Sequence, residues 1–313
     1  MSLLQMSFSG AIFIIAVVII RAMAINKLPK KTFLVLWEMV LLRLLIPFSV
    51  PSMFSVYTLI RNNTSTHTFS GTETGNMIPV MPQQNQVIAT QGAEQLSQNT
   101  LSSVSFWFVV WCAGMIFFAV FFAISYLRCL REFQTSLPVH NEYVEQWLKE
   151  RPLKRQILVR QSDRISAPLT YGVIHPVILM PKKTDWENVK QLQYVLSHEY
   201  VHIYRFDTIT KLIATLALCI HWFNPVVWVM HILFNRDIEL ACDESVIRQF
   251  GENSKSAYAR MLIDMEMKKG GLMPFCNSFS KNAIEERITA IMKIKKTSML
   301  AICIAAILIV GVT

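Results

Sequence analysis

A mainly α-helical membrane protein with four spans, carrying an α+β domain between the third and the fourth, is the fold class that the sequence predicts. Three observations predict it. Hydrophobic residues make up 53% of the 313, and mean hydropathy is positive, which argues against an ordinary soluble fold of this length. Four apolar stretches approach or exceed the length that crosses a bilayer. Between the third and the fourth, the chain turns polar and mixes short strand-like with helix-like patterns.

The first span is predicted over 3–24, interrupted by Gln5 and small polar residues until Arg21. It lacks a basic segment before it and a cleavage site after it, so it does not read as a signal peptide. The second runs over about 33–59, with Glu38 and Arg43 inside and Pro47 and Pro51 near its end. These two spans make up 1–61. Asn, Gln, Ser, Thr and Gly dominate 62–103, a composition that buries no core and predicts a flexible outer loop, with a short ligand-sensing segment as the alternative. The third span is 104–127, rich in Phe and Trp, and the fourth is 298–313, which is short. Lys27, Lys30 and Lys31 follow the first span, Arg128 and Arg131 the third, and Lys293, Lys295 and Lys296 precede the fourth, whereas 62–103 has no Lys or Arg. Positive charge marks the inner side, so the amino terminus and the 62–103 loop are expected outside, and the domain at 128–297 in the cytoplasm.

The formal charge of +9 is explained by these flanks and the lipid they meet, without direct nucleic-acid binding. Six cysteines without a CxxC pair fit a reducing interior.

Within the domain, a charged helix is expected at 139–150 and a strand at 156–161. Ala167-Pro168-Leu169-Thr170-Tyr171-Gly172 leads into an apolar run to Met180, which reads as a hairpin with an edge strand. That edge could align an extended substrate, or be structural. Thr184 and Glu187 form a capping-box pattern, and Leu192, Val195 and Leu196 then recur at helical spacing.

That helix carries His198-Glu199-Tyr200-Val201-His202. Histidines four apart share a helix face and can offer two nitrogens to one Zn2+, while Glu199 stands beside the metal as general base. Glu239, in Glu239-Leu240-Ala241-Cys242-Asp243, is the candidate third ligand, and Asp243 is expected to orient a liganded imidazole. Together these predict a gluzincin-like zinc protease domain. Cys242 is a conceivable thiolate ligand, but is expected to face away from Glu239 and Asp243. Tyr258 and Arg236 are candidates for stabilising a tetrahedral intermediate.

The run 208–234 is apolar enough for another span, but one crossing would separate His198 and His202 from Glu239. Asn224-Pro225 resolves this by predicting two shorter membrane-associated helices, about 208–222 and 226–234, that fold back. Asp207 reads as an N-cap, and His221 and His231 as core histidines. Gly251 reads as a helix stop. A helix at 256–268 carries Tyr258, Met261, Leu262 and Met265, and a loop that includes Asn277-Ser278-Phe279-Ser280 precedes a final charged helix.

These features together resemble the integral-membrane zinc peptidases of the BlaR/MecR antirepressor family. The resemblance is carried by 167–172 with Pro176, His198 to His202 with Arg205 and Asp207, His221-Trp222-Phe223-Asn224-Pro225, Glu239 to Asp243, Ser278 to Lys281, and Glu286-Arg287-Ile288. It implies a signalling protease whose activity removes a DNA-bound cytoplasmic repressor and so induces β-lactam resistance genes. It also implies self-cleavage, with Asn277, Ser278, Phe279 and Ser280 as the candidate region, and an outer sensor domain after the fourth span. The sequence ends at Thr313, so a fragment or a member with another input is expected. A homo-oligomer is compatible with this reading. Two alternatives stay open: a housekeeping membrane zinc protease of prenyl-protein peptidase or quality-control type, and a non-catalytic zinc-containing transducer.

Overall fold

The computed structural model describes residues 3–46, 106–268 and 277–294, without side chains at 268 and 277–281. The second span beyond 46, the 62–103 loop and the fourth span therefore lie outside the described residues. Two compact units divide the chain, one of 1–47 with 112–313 and the other of 48–111.

Nine α-helices are described: α1 Leu3–Ala24, α2 Lys30–Leu45, α3 Phe106–Gln134, α4 Glu142–Lys149, α5 Val189–Tyr204, α6 Asp207–Ile220, α7 Pro225–Phe250, α8 Lys255–Lys268 and α9 Asn277–Lys293. Among the described residues, α1 and α3 are long and apolar enough to cross a membrane. No residue of α3 is buried, and its Phe117, Val120 and Phe121 are exposed.

Four short strands form one sheet in the order β1-β2-β4-β3, from β1 Leu137–Pro138, β2 Leu158–Ser162, β3 Leu169–Tyr171 and β4 Val177–Pro181. β2 and β4 run parallel, while β3 returns antiparallel to β4 with Thr170 opposite Ile178. The expected hairpin is there, and β3 is its edge strand. Gly172 makes the turn with φ 84°, and a Cβ there would collide with the His175 carbonyl.

Two apolar cores hold this unit. One gathers Phe33, Leu36 and Trp37 of α2 against Met230, Phe234 and Ile238 of α7. The other joins Ile178 and Met180 of β4 to Leu192 and Leu196 of α5, Val246 of α7 and Tyr258 of α8. Helix α7 belongs to both, which places its middle between the helical layer and the sheet domain.

The apolar run turns back at Asn224-Pro225 as expected. Asn224 caps α7 by accepting from the Val226 amide at 3.0 Å, and Pro225 occupies the first turn, where its missing N–H costs nothing. The second helix does not stop at 234, however. Pro225–Phe250 is one continuous helix, because nothing between the apolar half and Glu239 breaks it. It ends at Gly251, with φ 86°.

Three local expectations are corrected. Helix α5 is capped by Asn188, which accepts from the Gln191 amide at 3.1 Å, while Thr184 bonds back to the Pro181 carbonyl. A cap must immediately precede the first helical residue, and Thr184 lies too early. Phe206, with φ 58°, occupies the cap position of α6, which frees Asp207 for another partner. Residues 277–280 form the first turn of α9, where Asn and Ser suit a helix start, instead of a loop.

Candidate metal centre

The centre forms where α5 crosses α7. His198 and His202 stand one turn apart on α5, and their Nε2 atoms approach to 3.2 Å. Glu239 of α7 brings Oε2 to 3.5 Å from Nε2 of His198 and 3.7 Å from Nε2 of His202. Tetrahedral zinc with bonds of about 2.05 Å spaces its ligands about 3.3 Å apart. The three atoms therefore fit the donor face of one such ion.

The hydrogen bonds behind the rings decide which nitrogens face the ion. Tyr258 of α8 donates its phenolic proton to Oδ1 of Asp243 at 2.8 Å. Its oxygen, 2.8 Å from Nδ1 of His198, must then accept from that nitrogen, since the hydroxyl has one proton. Nδ1 of His202 lies 2.6 Å from Oδ2 of Asp207, and a carboxylate can only accept. Both imidazoles thus carry hydrogen on Nδ1 and keep the Nε2 lone pair for a metal.

Asp207 was not foreseen in this role. Its place five residues after His202 depends on the left-handed turn at Phe206, although a carboxylate just past the end of an HExxH helix was a visible signal. Arg205 Nη2, 3.1 Å from Asp207 Oδ1, steadies it. Asp243, the residue expected to orient an imidazole, has an oxygen 3.4 Å from Nδ1 of His198 and is linked to it by hydrogen bonds through Tyr258. That contact removes Tyr258 as a stabiliser of a tetrahedral intermediate: it is fully buried and sits at the nitrogen turned away from the metal face. Arg236 points elsewhere too, 3.6 Å from Glu286.

Cys242 corrects a second expectation. Residues 239 and 242 are three apart and share a helix face, so Cys242 points into the centre. Its Sγ lies 3.4 Å from Nδ1 of His198, and its thiol donates to the His198 carbonyl at 3.3 Å. The donors of His198, His202 and Cys242 all lie within 4.8 Å of one another, a second possible metal group. It is the looser of the two sets, and Cys242 approaches His198 from the Nδ1 side.

In the metal-free chain, protons balance these charges. Burial would depress the His198 imidazole, but Cys242 and Glu239 outweigh it and push it up to about 10. Burial likewise opposes the charge of His202, which Cys242, Glu239 and Asp207 raise well above its ordinary value. Against its own burial, the Glu239 carboxyl is held well below the usual range by His202, His198 and Lys211. The Cys242 thiol is lowered against burial by the same two histidines.

Glu199 accepts a hydrogen bond from Thr170 Oγ1 at 2.6 Å, which ties it to strand β3. Thr170, Glu199, both histidines, Glu239 and Arg287 line a cavity of about 620 Å3 with apolar walls from Leu262, Met265 and Ile284. A second cavity of similar volume, reaching Arg164, Lys182 and Lys183, shares Pro168, Val195 and Met265 with it. The two adjoin at these residues, and the first forms a groove beside Leu169 and Thr170 of β3.

A family model described as BlaR1 peptidase M56 matches residues 1–291. The "Regulatory protein BlaR1" of Bacillus licheniformis is 25% identical over 150 residues, covering 47% of this chain and 25% of the relative. The "Methicillin resistance mecR1 protein" of Staphylococcus aureus is 21% identical over 276 residues, covering 86% and 46%. The "Regulatory protein BlaR1" of Staphylococcus aureus is 25% identical over 255 residues, covering 79% and 41%. The chain thus spans between a quarter and just under half the length of these relatives.

Proposed function

This chain belongs to the BlaR1 peptidase M56 family, and from that premise we propose that it is a membrane zinc endopeptidase of a signalling pathway, with His198, His202 and Glu239 as ligands and Glu199 as general base. One observation carries the reading: three donor atoms spaced 3.2 to 3.7 Å apart meet beside a carboxylate that the edge strand holds in place.

Bound zinc would supply Lewis acidity toward a peptide carbonyl and toward water. Glu199 takes the proton from the attacking water and delivers it to the departing amine. The Thr170 hydroxyl fixes one oxygen of Glu199 and leaves the other for that transfer. An extended peptide adding to β3 would lie in the groove, its carbonyl beside Glu199 and its side chains against Leu262, Met265 and Ile284.

The substrate we propose is a cytoplasmic DNA-binding repressor, this chain itself, or both, so that cleavage induces genes of the β-lactam resistance type. The names of the relatives support that direction. The apolar α1 and α3 support a multi-pass membrane location, and the charge pattern supports a cytoplasmic site.

Glu199→Ala tests the mechanism. The variant should keep its zinc and lose cleavage of repressor and of itself by at least about 100-fold, the scale of a general base. Undiminished cleavage by that variant would refute the assignment, and a parent chain that binds zinc but cleaves nothing would favour the non-catalytic transducer.

A further inference from the structure

We propose that Arg287 is a positioning residue of the metal centre, acting through Asp243 and Tyr258 on His198. The proposal rests on the zinc-centre reading above and adds to it a residue on α9, outside the helices that carry the ligands.

The chain of contacts is continuous. Arg287 forks Asp243 with Nε at 2.8 Å from Oδ2 and Nη2 at 2.7 Å from Oδ1. Oδ1 also accepts the Tyr258 hydroxyl at 2.8 Å, and that hydroxyl meets Nδ1 of His198 at 2.8 Å. The Asp243 side chain is 1% exposed, so water cannot replace a lost donor, and a buried carboxylate left with Tyr258 alone would turn or draw in another partner. Either movement takes the phenol away from His198. The imidazole is then no longer held with Nε2 toward His202 and Glu239.

Arg287 also reaches the opposite side of the centre, with Nη1 3.7 Å from Oε2 of Glu239. One planar guanidinium thus spans two carboxylates a helical turn apart on α7, which a lysine ammonium cannot do. Its neighbour holds the register. Glu286 accepts from Nη2 of Arg21 at 2.6 Å, and Nε of the same Arg21 donates to both oxygens of Asp237 at 2.9 and 3.0 Å. Consecutive residues of α9 are therefore pinned to points about 9 Å apart along α7.

The test is zinc affinity, measured by competition with a fluorescent chelator on the full chain in detergent, together with the absorption spectrum of the cobalt-substituted form. Arg287→Gln should weaken zinc binding by about 10- to 100-fold, the range for residues that orient a ligand. Tyr258→Phe should lose a similar factor, and the double variant should be no weaker than the weaker single one, because both act along one path. Losses that multiply in the double variant, or parent-like affinity in Arg287→Gln, overturn the proposal. If Arg287→Gln does not fold, Arg287→Lys decides: it keeps the charge without the fork, and should bind zinc more weakly with an altered cobalt spectrum. Parent-like binding and spectrum in the lysine variant overturn the proposal. A parent chain that takes up no zinc refutes the metal reading and this inference with it, whereas a zinc-binding parent beside an equal Arg287→Gln refutes the inference alone.

Discussion

Glu239 and Cys242 both reach the histidines from α7, and the spacing of donors separates them. Glu239 completes a face with edges of 3.2, 3.5 and 3.7 Å, whereas Cys242 approaches His198 from Nδ1, the nitrogen that faces Tyr258. Glu239→Gln should therefore lose more zinc affinity than the about 10- to 100-fold typical of an orienting residue, and Cys242→Ser less. Metal analysis after gel filtration would check this, and the reverse order would make Cys242 the ligand. Protonation gives a second outcome at this scale. In the metal-free chain His198 is raised to about 10, above its unfolded value of about 6.5. Its contribution to stability is then fully present below about 6.5 and lost as pH rises through about 10. The depressed Glu239 carboxyl acts at the acid end, where its contribution is lost as pH falls below the ordinary carboxylate range. Chelator-treated chain should thus melt progressively earlier from about pH 7 to 10, while zinc-loaded chain should not, since the metal takes the place of the Nε2 proton. Parallel melting curves across that range would contradict the assigned Nε2 ligation.

At the scale of elements, α7 carries the argument, because one helix joins a helical layer to the metal centre. Its Asp237 is 1% exposed and takes Arg21 of α1 through both oxygens, plus the Trp37 indole N–H of α2 at 2.7 Å. Asp237→Ala would leave a nearly buried guanidinium and an indole N–H without that acceptor. The cost should be about 3 to 5 kcal/mol, read as a lower denaturation midpoint in detergent, whereas Asn188→Ala, which removes the local cap of α5, should cost about 1 kcal/mol. Equal effects would mean that the Asp237 network does not anchor α1 and α2. Much of this layer was legible in the sequence. The HExxH spacing, the turn at Asn224-Pro225, the edge strand at Thr170 and the stop at Gly251 follow from local rules of period, proline and glycine. The long-range pairings were not, since Arg21 with Asp237 and Arg287 with Asp243 join positions 216 and 44 residues apart. Only the packing of whole helices brings those together. Cys242 and Asp207 were misread for a nearer reason: the first needed the three-residue helix spacing applied again, and the second a left-handed Phe206 that a bulky side chain rarely adopts.

For the whole molecule, the decisive contrast is between the two cores and α3, a helix of 29 residues with none buried. Phe106, Trp107, Phe117 and Phe121 are more than half exposed on that one helix, an apolar surface that supports the proposed membrane location. That location would constrain the centre. His198, His202 and Glu239 meet although an apolar run separates them, so in a membrane that run would have to enter and leave on one side, which the topology proposed above, from the basic flanks at Lys27 to Lys31 and Arg128 to Arg131, takes to be the cytoplasm. Cysteines introduced one at a time at Ser97 and at Lys183 would test the assignment against the parent chain in intact cells. An impermeant maleimide should label Ser97→Cys at once and Lys183→Cys only after the membrane is opened. Labelling of both positions in sealed cells would place Lys183 and the 62–103 loop on one face, and the reverse pattern would turn the protease outward. In either case a cytoplasmic repressor could not reach Glu199, and the signalling substrate would have to be sought outside the cell.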